Sequence, residues 1–133
     1  MRQSFEQAIS VEEDQTLAET IGEFVQAVAA DNNERRLSQR FAYNVVQSAV
    51  PYDGKRLPTS DMFRKVQCHD LSTGGMSFVW PHAPEFERVI VKLAAPNRNL
   101  YVVARVVSHR QVGDAKRGFL VCCKFLDRVR ISG

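Results

Sequence analysis

An alternation of apolar and polar residues with a period of two dominates the chain after Glu34. It is clearest in the segments RVIVKLA from Arg88, LYVVARVV from Leu100 and GFLVCCKFL from Gly118. Successive side chains of a strand point to opposite faces of a sheet, so this period predicts strands with one buried face. We expect six of them, at residues 41–50, 62–69, 75–80, 86–94, 100–109 and 118–126.

Turn-forming residues separate the expected strands and leave no room for a helix between them. The separating segments are PYDGKRLPTS, STGG, PHAPE, APNRN and QVGDAK, most of them rich in Gly, Pro, Asp, Asn or Ser. Six short strands on even spacing favour an antiparallel barrel or a sandwich. The sequence therefore predicts a mainly β fold.

The segment before Glu34 has a helical period instead. The stretch SVEEDQTLAETIGEFVQAVAADNN, which begins at Ser10, carries apolar residues that share one helix face: Leu17, Ile21, Phe24, Val25 and Val28. We therefore divide the chain into an N-terminal amphipathic acidic helix at 1–33 and a β domain at 34–133. The apolar face predicts a helix packed on its own β domain. The alternative is a helix that binds a partner protein or pairs with a second copy in a homodimer.

Charge divides at the same place as the hydrophobic period. The formal net charge of the chain is +3. Up to Glu34 there are eight acidic residues and one basic residue, a net charge of −7. From Arg35 onward there are 17 basic and 7 acidic residues, a net charge of +10. The basic part of the chain therefore indicates an anionic partner.

Cysteine usage and hydropathy favour the cytoplasm. The three cysteines are Cys68, Cys122 and Cys123, an odd count with two adjacent, which is a poor disulfide framework. Residues 1–10 are polar and lack the apolar stretch of a secretory signal. No apolar run approaches the roughly 18 residues of a membrane span. We expect a cytoplasmic protein without a membrane span.

Arginines are concentrated just before the first expected strand, in the segment ERRLSQR. Arg35, Arg36 and Arg40 lie within six residues of one another. A guanidinium group is planar, permanently charged and has five donors, so it can pair with a phosphate or with the O6/N7 edge of guanine. Such a cluster is also common in solvated linkers. Taken alone, the segment leaves both interpretations open.

The second polar motif is DLSTGG, from Asp70 to Gly75, between two expected strands. It fits a tight turn in which Asp and Ser bond neighbouring backbone and Gly75 takes a positive φ. The same geometry suits a ligand. The Asp70 carboxylate can accept hydrogen bonds from guanine N1 and N2, and the Ser72 hydroxyl can reach a phosphate or ribose. Gly74 and Gly75 would let the backbone approach the ligand closely.

The two motifs together, in this order and with these strands, resemble the PilZ domain family. Its signature pairs an RxxxR segment before the first strand with a [D/N]xSxxG turn, here Arg36 to Arg40 and Asp70 to Gly75. The strand LYVVARVVSHR followed by RGFLVCCKFLD is similar to the closing strands of that family. The resemblance covers about residues 34–129.

The resemblance implies a six-stranded antiparallel β-barrel that binds cyclic di-GMP, a bacterial second messenger. It implies that Arg36 and Arg40 wrap the dinucleotide, and that Asp70 and Ser72 read a guanine while Gly74 and Gly75 make room. In that family a long basic residue before the motif often accompanies an intercalated pair of ligand molecules, so the resemblance implies Arg35 as a third contact. These seven residues form the predicted ligand site, with no cofactor beyond the ligand.

The expected role is a receiver that relays the second-messenger level to a partner protein or to its own helix. One alternative is a small β-barrel RNA-binding protein that uses the same basic surface, although we do not expect nucleic acid as the partner. Another is a PilZ-like adaptor that acts through protein contacts without ligand. No catalytic arrangement of side chains is evident, so we expect no enzyme. The His and Cys spacing matches no metal motif, and we expect no metal.

Overall fold

The computed structural model describes residues 17–31, 41–94, 99–113 and 118–131. Within these ranges the chain forms one helix, α1 (Leu17–Asp31), and a short 3-10 turn at Ser60–Met62. The strands are β1 (Phe41–Ala42), β2 (Val46–Tyr52), β3 (Arg64–Leu71), β4 (Gly75–Trp80), β5 (Arg88–Ala94), β6 (Asn99–Gln111) and β7 (Phe119–Val129).

The strands form a closed antiparallel barrel. Six of them follow one another around it in the order β3-β2-β5-β6-β7-β4, and the pairing of β4 with β3 closes the ring. Strands β1 and β2 both pair with the same side of β3, and residues 43–45 separate them. This confirms the predicted mainly β fold with a six-stranded antiparallel barrel and a helix before it.

Inward-facing residues of the barrel follow the predicted alternation. In β5 the buried core residues are Val89, Val91 and Leu93, and in β7 they are Val121, Cys123 and Phe125. The interior is packed with side chains from every long strand, and its large, fully buried members include Phe78 and Met76. Because the barrel is filled, a ligand would have to bind at its ends or on its outer surface.

The outer surface carries a smaller apolar cluster. Val50, Ile90 and Val103 point away from the interior and are nevertheless buried. Five partly buried side chains pack against them: Tyr52, Phe63, Tyr101, Val129 and Ile131. Phe63 and Tyr101 meet edge to face, with ring centroids 5.5 Å apart. This cluster explains why Ile90 is buried although it lies on the outer face of β5.

Helix α1 packs on the barrel and belongs to its core. Ile21 and Val25 are 1% and 0% exposed and join the main cluster of buried residues. Leu17, Phe24 and Val28 pack against the same cluster from its edge. The residues predicted to share one apolar face are therefore those that meet the barrel. Glu19 and Glu23 lie on the exposed side of the helix.

Candidate functional site

The turn at Asp70–Gly75 lies at one end of the barrel, beside the strand that follows the arginine segment. Phe41 of β1 pairs with Leu71, and Ala42 pairs with Asp70. The Tyr43 N–H donates to the His69 carbonyl at 3.0 Å. Phe41 is the residue that follows Arg40 in the sequence. Two motifs separated by some thirty residues of sequence are thus joined through a pair of hydrogen-bonded strands.

A β-bulge determines where Asp70 points. In the pairing of β3 with β4 the register shifts between Cys68 and Asp70. Cys68 and Leu71 both face the core, at 1% and 0% exposure, so two residues occupy the outer side between them. Without the extra residue the alternation would turn Asp70 toward the core. The bulge therefore keeps the Asp70 carboxylate at the surface.

The Asp70 carboxylate already has a close neighbour. Its Oδ2 atom lies 3.2 Å from Nδ1 of His69, which is well exposed, whereas the Asp70 side chain is only 21% exposed. Asp70 also lies directly across from Ser77 of β4. A partly exposed carboxylate of this kind can accept hydrogen bonds from N–H donors such as guanine N1 and N2.

The Ser72 hydroxyl takes part in the turn itself. It accepts a hydrogen bond from the Gly74 N–H at 3.2 Å and lies 3.5 Å from the Gly75 carbonyl. The Ser72 N–H donates to the same carbonyl at 2.9 Å, and the side chain is buried. These bonds fit the local role expected of Ser in a turn. Its predicted contact with a ligand stays a prediction.

The two glycines of the turn differ, and one expectation about them is wrong. Gly75 does not take a positive φ; among the described glycines only Gly54, Gly113 and Gly118 do. Gly75 is instead the first residue of β4, buried and paired with Lys124. Pairing on both sides of β4 holds it in the extended conformation, so the turn needs no left-handed residue there. Gly74 is exposed, and a Cβ on it would meet nothing nearer than the Ser72 hydroxyl at 4.0 Å.

The arginines of the predicted site, Arg35, Arg36 and Arg40, lie outside the described residues. Of the seven predicted site residues, the structure brings together Asp70, Ser72, Gly74 and Gly75 in one turn. Lys55 and Arg56 occupy the loop before β3, and β3 runs about 25 Å from that loop to the turn. These two cations are therefore at the opposite end of the barrel.

A cavity of about 680 Å³ also lies at that opposite end. Its walls come from the segments 50–62 and 85–88, and they include Tyr52, Leu57 and Phe86 together with Arg56 and Arg88. It is separated from the turn by the length of the barrel. The cavity therefore contributes nothing to the site formed by the two sequence motifs.

Two residues near the turn had no place in the sequence-based site. Lys124 is exposed and sits directly across from Gly75, and its neighbour Phe125 donates its N–H to the Gly74 carbonyl at 2.9 Å. His69 contacts Asp70. The position of His69 next to Asp70 in sequence was a usable signal. Nothing in the sequence links Lys124 to a turn about fifty residues earlier.

The described part of the chain holds no group of three or more His, Cys, Asp or Glu residues arranged for a metal ion. Cys68 is buried, and burial raises the pKa of its thiol to about 12. Such a thiol stays protonated at neutral pH and is a poor nucleophile in that form. No helix within the described ranges is long and apolar enough to cross a membrane.

The helix reaches the same end of the barrel as the turn. The Phe24 ring meets the Tyr43 ring edge to face, with centroids 6.3 Å apart. Tyr43 is buried, its hydroxyl accepts from Gln47 at 2.7 Å, and burial raises the pKa of the phenol. Since the Tyr43 N–H is bonded to His69, one residue touches both the helix and the strand that carries Asp70.

Comparison with known proteins adds a family to this geometry. A family model described as PilZ domain matches residues 34–131, which is more than half of the chain. No curated protein and no solved structure matched the chain. The matched range contains both sequence motifs and the whole described barrel. The chain therefore belongs to the PilZ domain family, a family of domains that bind cyclic di-GMP.

Proposed function

We propose that this protein is a cyclic di-GMP receptor and that it binds the dinucleotide between the arginine segment and the Asp70–Gly75 turn. The observation that carries the proposal is the pairing of Phe41 and Ala42 with Leu71 and Asp70. This pairing ties the strand next to Arg40 to the turn that offers a guanine acceptor. The family membership supports the same ligand. PilZ domains are binding domains, and we propose no catalytic step.

In this proposal the ligand is held by two kinds of contact. Arg36 and Arg40 supply guanidinium forks to the phosphates and the guanine O6/N7 edge, with Arg35 as a third contact. The Asp70 carboxylate accepts from guanine N1 and N2, the exposed Gly74 lets the ligand approach the backbone closely, and the buried Ser72 and Gly75 hold the turn beneath it. Charge-assisted bonds of this kind contribute roughly 1.5–3 kcal/mol each.

Gly74→Ala tests the close approach of ligand to the turn. A Cβ at Gly74 has open space in the free protein, and the residue lacks a positive φ, so folding should change by less than about 0.5 kcal/mol. The added methyl group would stand where the ligand packs, and we expect affinity for cyclic di-GMP to fall about tenfold. Calorimetric titration together with urea unfolding measures both quantities. Unchanged affinity would remove Gly74 from the binding surface.

We further propose that binding is relayed to α1 through Tyr43. The segment from Arg35 to Arg40 lies between α1 and β1 in sequence, and Tyr43 contacts both Phe24 and the strand of Asp70. Rearranging the arginines around a ligand would therefore alter the packing of α1. A ligand can shift this equilibrium only by its difference in affinity for the two arrangements. The helix or a partner protein that reads its position would carry the signal onward.

Hydrogen exchange with and without cyclic di-GMP tests the site and the relay together. We expect slower exchange at residues 35–42 and 69–76, and altered exchange across α1. The loop at 53–63 serves as an internal control and should not change, since it lies at the other end of the barrel. Slower exchange at 69–76 with identical exchange in α1 would keep the site and refute the relay. Protection confined to 53–63 would refute the site.

A further inference from the structure

Strand β6 extends beyond the strand on one of its sides. Its pairing with β5 ends at Arg105, opposite Arg88, and the last backbone bond on that side joins the Val106 N–H to the Glu87 carbonyl. The strand continues to Gln111 and pairs there only with β7. Residues 107–111, which we call the β6 edge, therefore have no strand beside them on the β5 side among the described residues.

The β6 edge is open to solvent. All five of its residues are exposed, and Val107 is an apolar side chain at 52% exposure. A β-bulge at Val107 shifts the register between β6 and β7. An open edge presents backbone donors and acceptors, and only another extended backbone can pair with them in register. The edge is thus a template for one added strand.

The outer surface next to this edge is basic. Arg88, Arg105 and Lys124 stand directly across from one another on β5, β6 and β7. All three side chains are exposed, and among the described residues none has a carboxylate oxygen within 4.0 Å. Like charges at paired positions destabilise a sheet. Repulsion within the row therefore lowers the stability of the barrel, and an anionic partner would relieve this repulsion.

The same charge continues along the β6 edge. Arg110 pairs with Leu120, which lies on the same face of β7 as Lys124 because side chains alternate regularly there. Arg110 therefore points to the outer face, as Arg105 does. Glu87 lies at the β5 end of the edge. Negative charge on an added strand would be favoured opposite Arg110, toward the hairpin end, and disfavoured beside Glu87.

We propose that the β6 edge binds an extended acidic segment of a partner protein, which adds a strand to the barrel in line with β5. Backbone pairing with residues 107–111 fixes the register, Val107 offers an apolar contact, and Arg110 pairs with a partner carboxylate. A second copy of β6 is disfavoured as the occupant because it would bring the same cations together. A nucleic acid could use the charges but not the backbone edge.

A defined peptide tests this proposal on the whole chain. The probe is a blocked seven-residue peptide that alternates Val and Glu, compared with the same peptide carrying Lys for Glu and with its fully N-methylated form. We expect the acidic peptide to bind and to slow amide exchange at residues 107–111. Neither control peptide should displace it at equal concentration. Binding should weaken at least about tenfold for the lysine peptide, through charge, and for the methylated peptide, through lost backbone pairing.

Two protein variants separate the edge from general basic charge. Arg110→Glu should weaken binding of the acidic peptide about tenfold, whereas Lys65→Glu, an equal charge change at an exposed position of β3, should leave it unchanged. Equal effects of the two variants, or equal binding of the methylated peptide, would overturn the proposal. So would tight binding of a single-stranded oligonucleotide with no binding of the peptide. Because the measurement needs no dinucleotide, it stands apart from the proposed receptor function.

Discussion

Arg40→Ala is expected to weaken binding of cyclic di-GMP by at least about tenfold, and to do so without unfolding the protein. The lost guanidinium would remove charge-assisted hydrogen bonds worth roughly 1.5–3 kcal/mol each. The barrel core lies in the strands and α1, and its residues are Val89, Phe78, Ile21 and their neighbours. Isothermal titration of the variant measures the affinity, and its unfolding transition should match that of the parent protein.

Two companion variants make the arginine result specific. Arg36→Lys keeps the charge but loses the planar fork, so affinity should still fall. Lys55→Ala removes a cation from the loop at the opposite end of the barrel and should change affinity little, since Lys55 is exposed there. Damage from Lys55→Ala that exceeds the damage from Arg40→Ala would mean that the ligand binds at the other end.

Ile21→Ala is expected to destabilise the protein by about 2–5 kcal/mol, the range found when large apolar side chains are truncated in a packed core. Ile21 is 1% exposed and packs with barrel residues, although it belongs to a helix that precedes the strands. Removal of residues up to Ala30 would take away Ile21 and Val25 together and should be more damaging. Chemical unfolding followed by fluorescence of Trp80 measures both effects.

Gln26→Ala is the matched control for the helix. Gln26 is exposed on the outer side of α1, and Ala is a slightly better helix former, so stability should stay within about 0.5 kcal/mol. A cost for Ile21→Ala no larger than that of Gln26→Ala would show that α1 does not share the core of the barrel in solution.

Most of the barrel could be predicted from local pattern because inward and outward positions alternate over short distances. The segment 75–80 begins and ends where β4 does, since STGG and PHAPE set firm turns on both sides. The apolar face of α1 could be predicted in the same way, from its helical spacing. The expected segment 100–109 stops before the end of β6 because the hairpin extends past the apolar stretch. The expected segment 118–126 stops before the end of β7 because residues 127–129 still pair with the start of β6.

What the sequence could not predict depends on pairing between distant residues. Strand β3 continues to Leu71 because β1 and β4 supply partners on both sides. The bulge at Asp70 and the extended conformation of Gly75 follow from those pairings, so the expectation of a positive φ at Gly75 failed. Lys124 meets the turn only through the register of β4 with β7.

The candidate site shows the same division. Its residue types and their order could be predicted from RRLSQR and DLSTGG, because these motifs carry the donors and acceptors that a guanine dinucleotide needs. The connection between the two motifs could not be predicted, since it depends on the two residues of β1. The open β6 edge could not be predicted either, since it exists because β5 is shorter than β6.

Binding selectivity tests the central claim most directly. Cyclic di-GMP, cyclic di-AMP, GTP and a short single-stranded RNA should be titrated side by side into the whole protein at physiological salt. If Asp70 reads guanine N1 and N2, cyclic di-GMP should bind at least about tenfold more tightly than cyclic di-AMP, because adenine leaves a polar pairing worth roughly 1–3 kcal/mol unmade. Equal affinity for the two dinucleotides, or tight RNA binding with neither dinucleotide bound, would contradict the account.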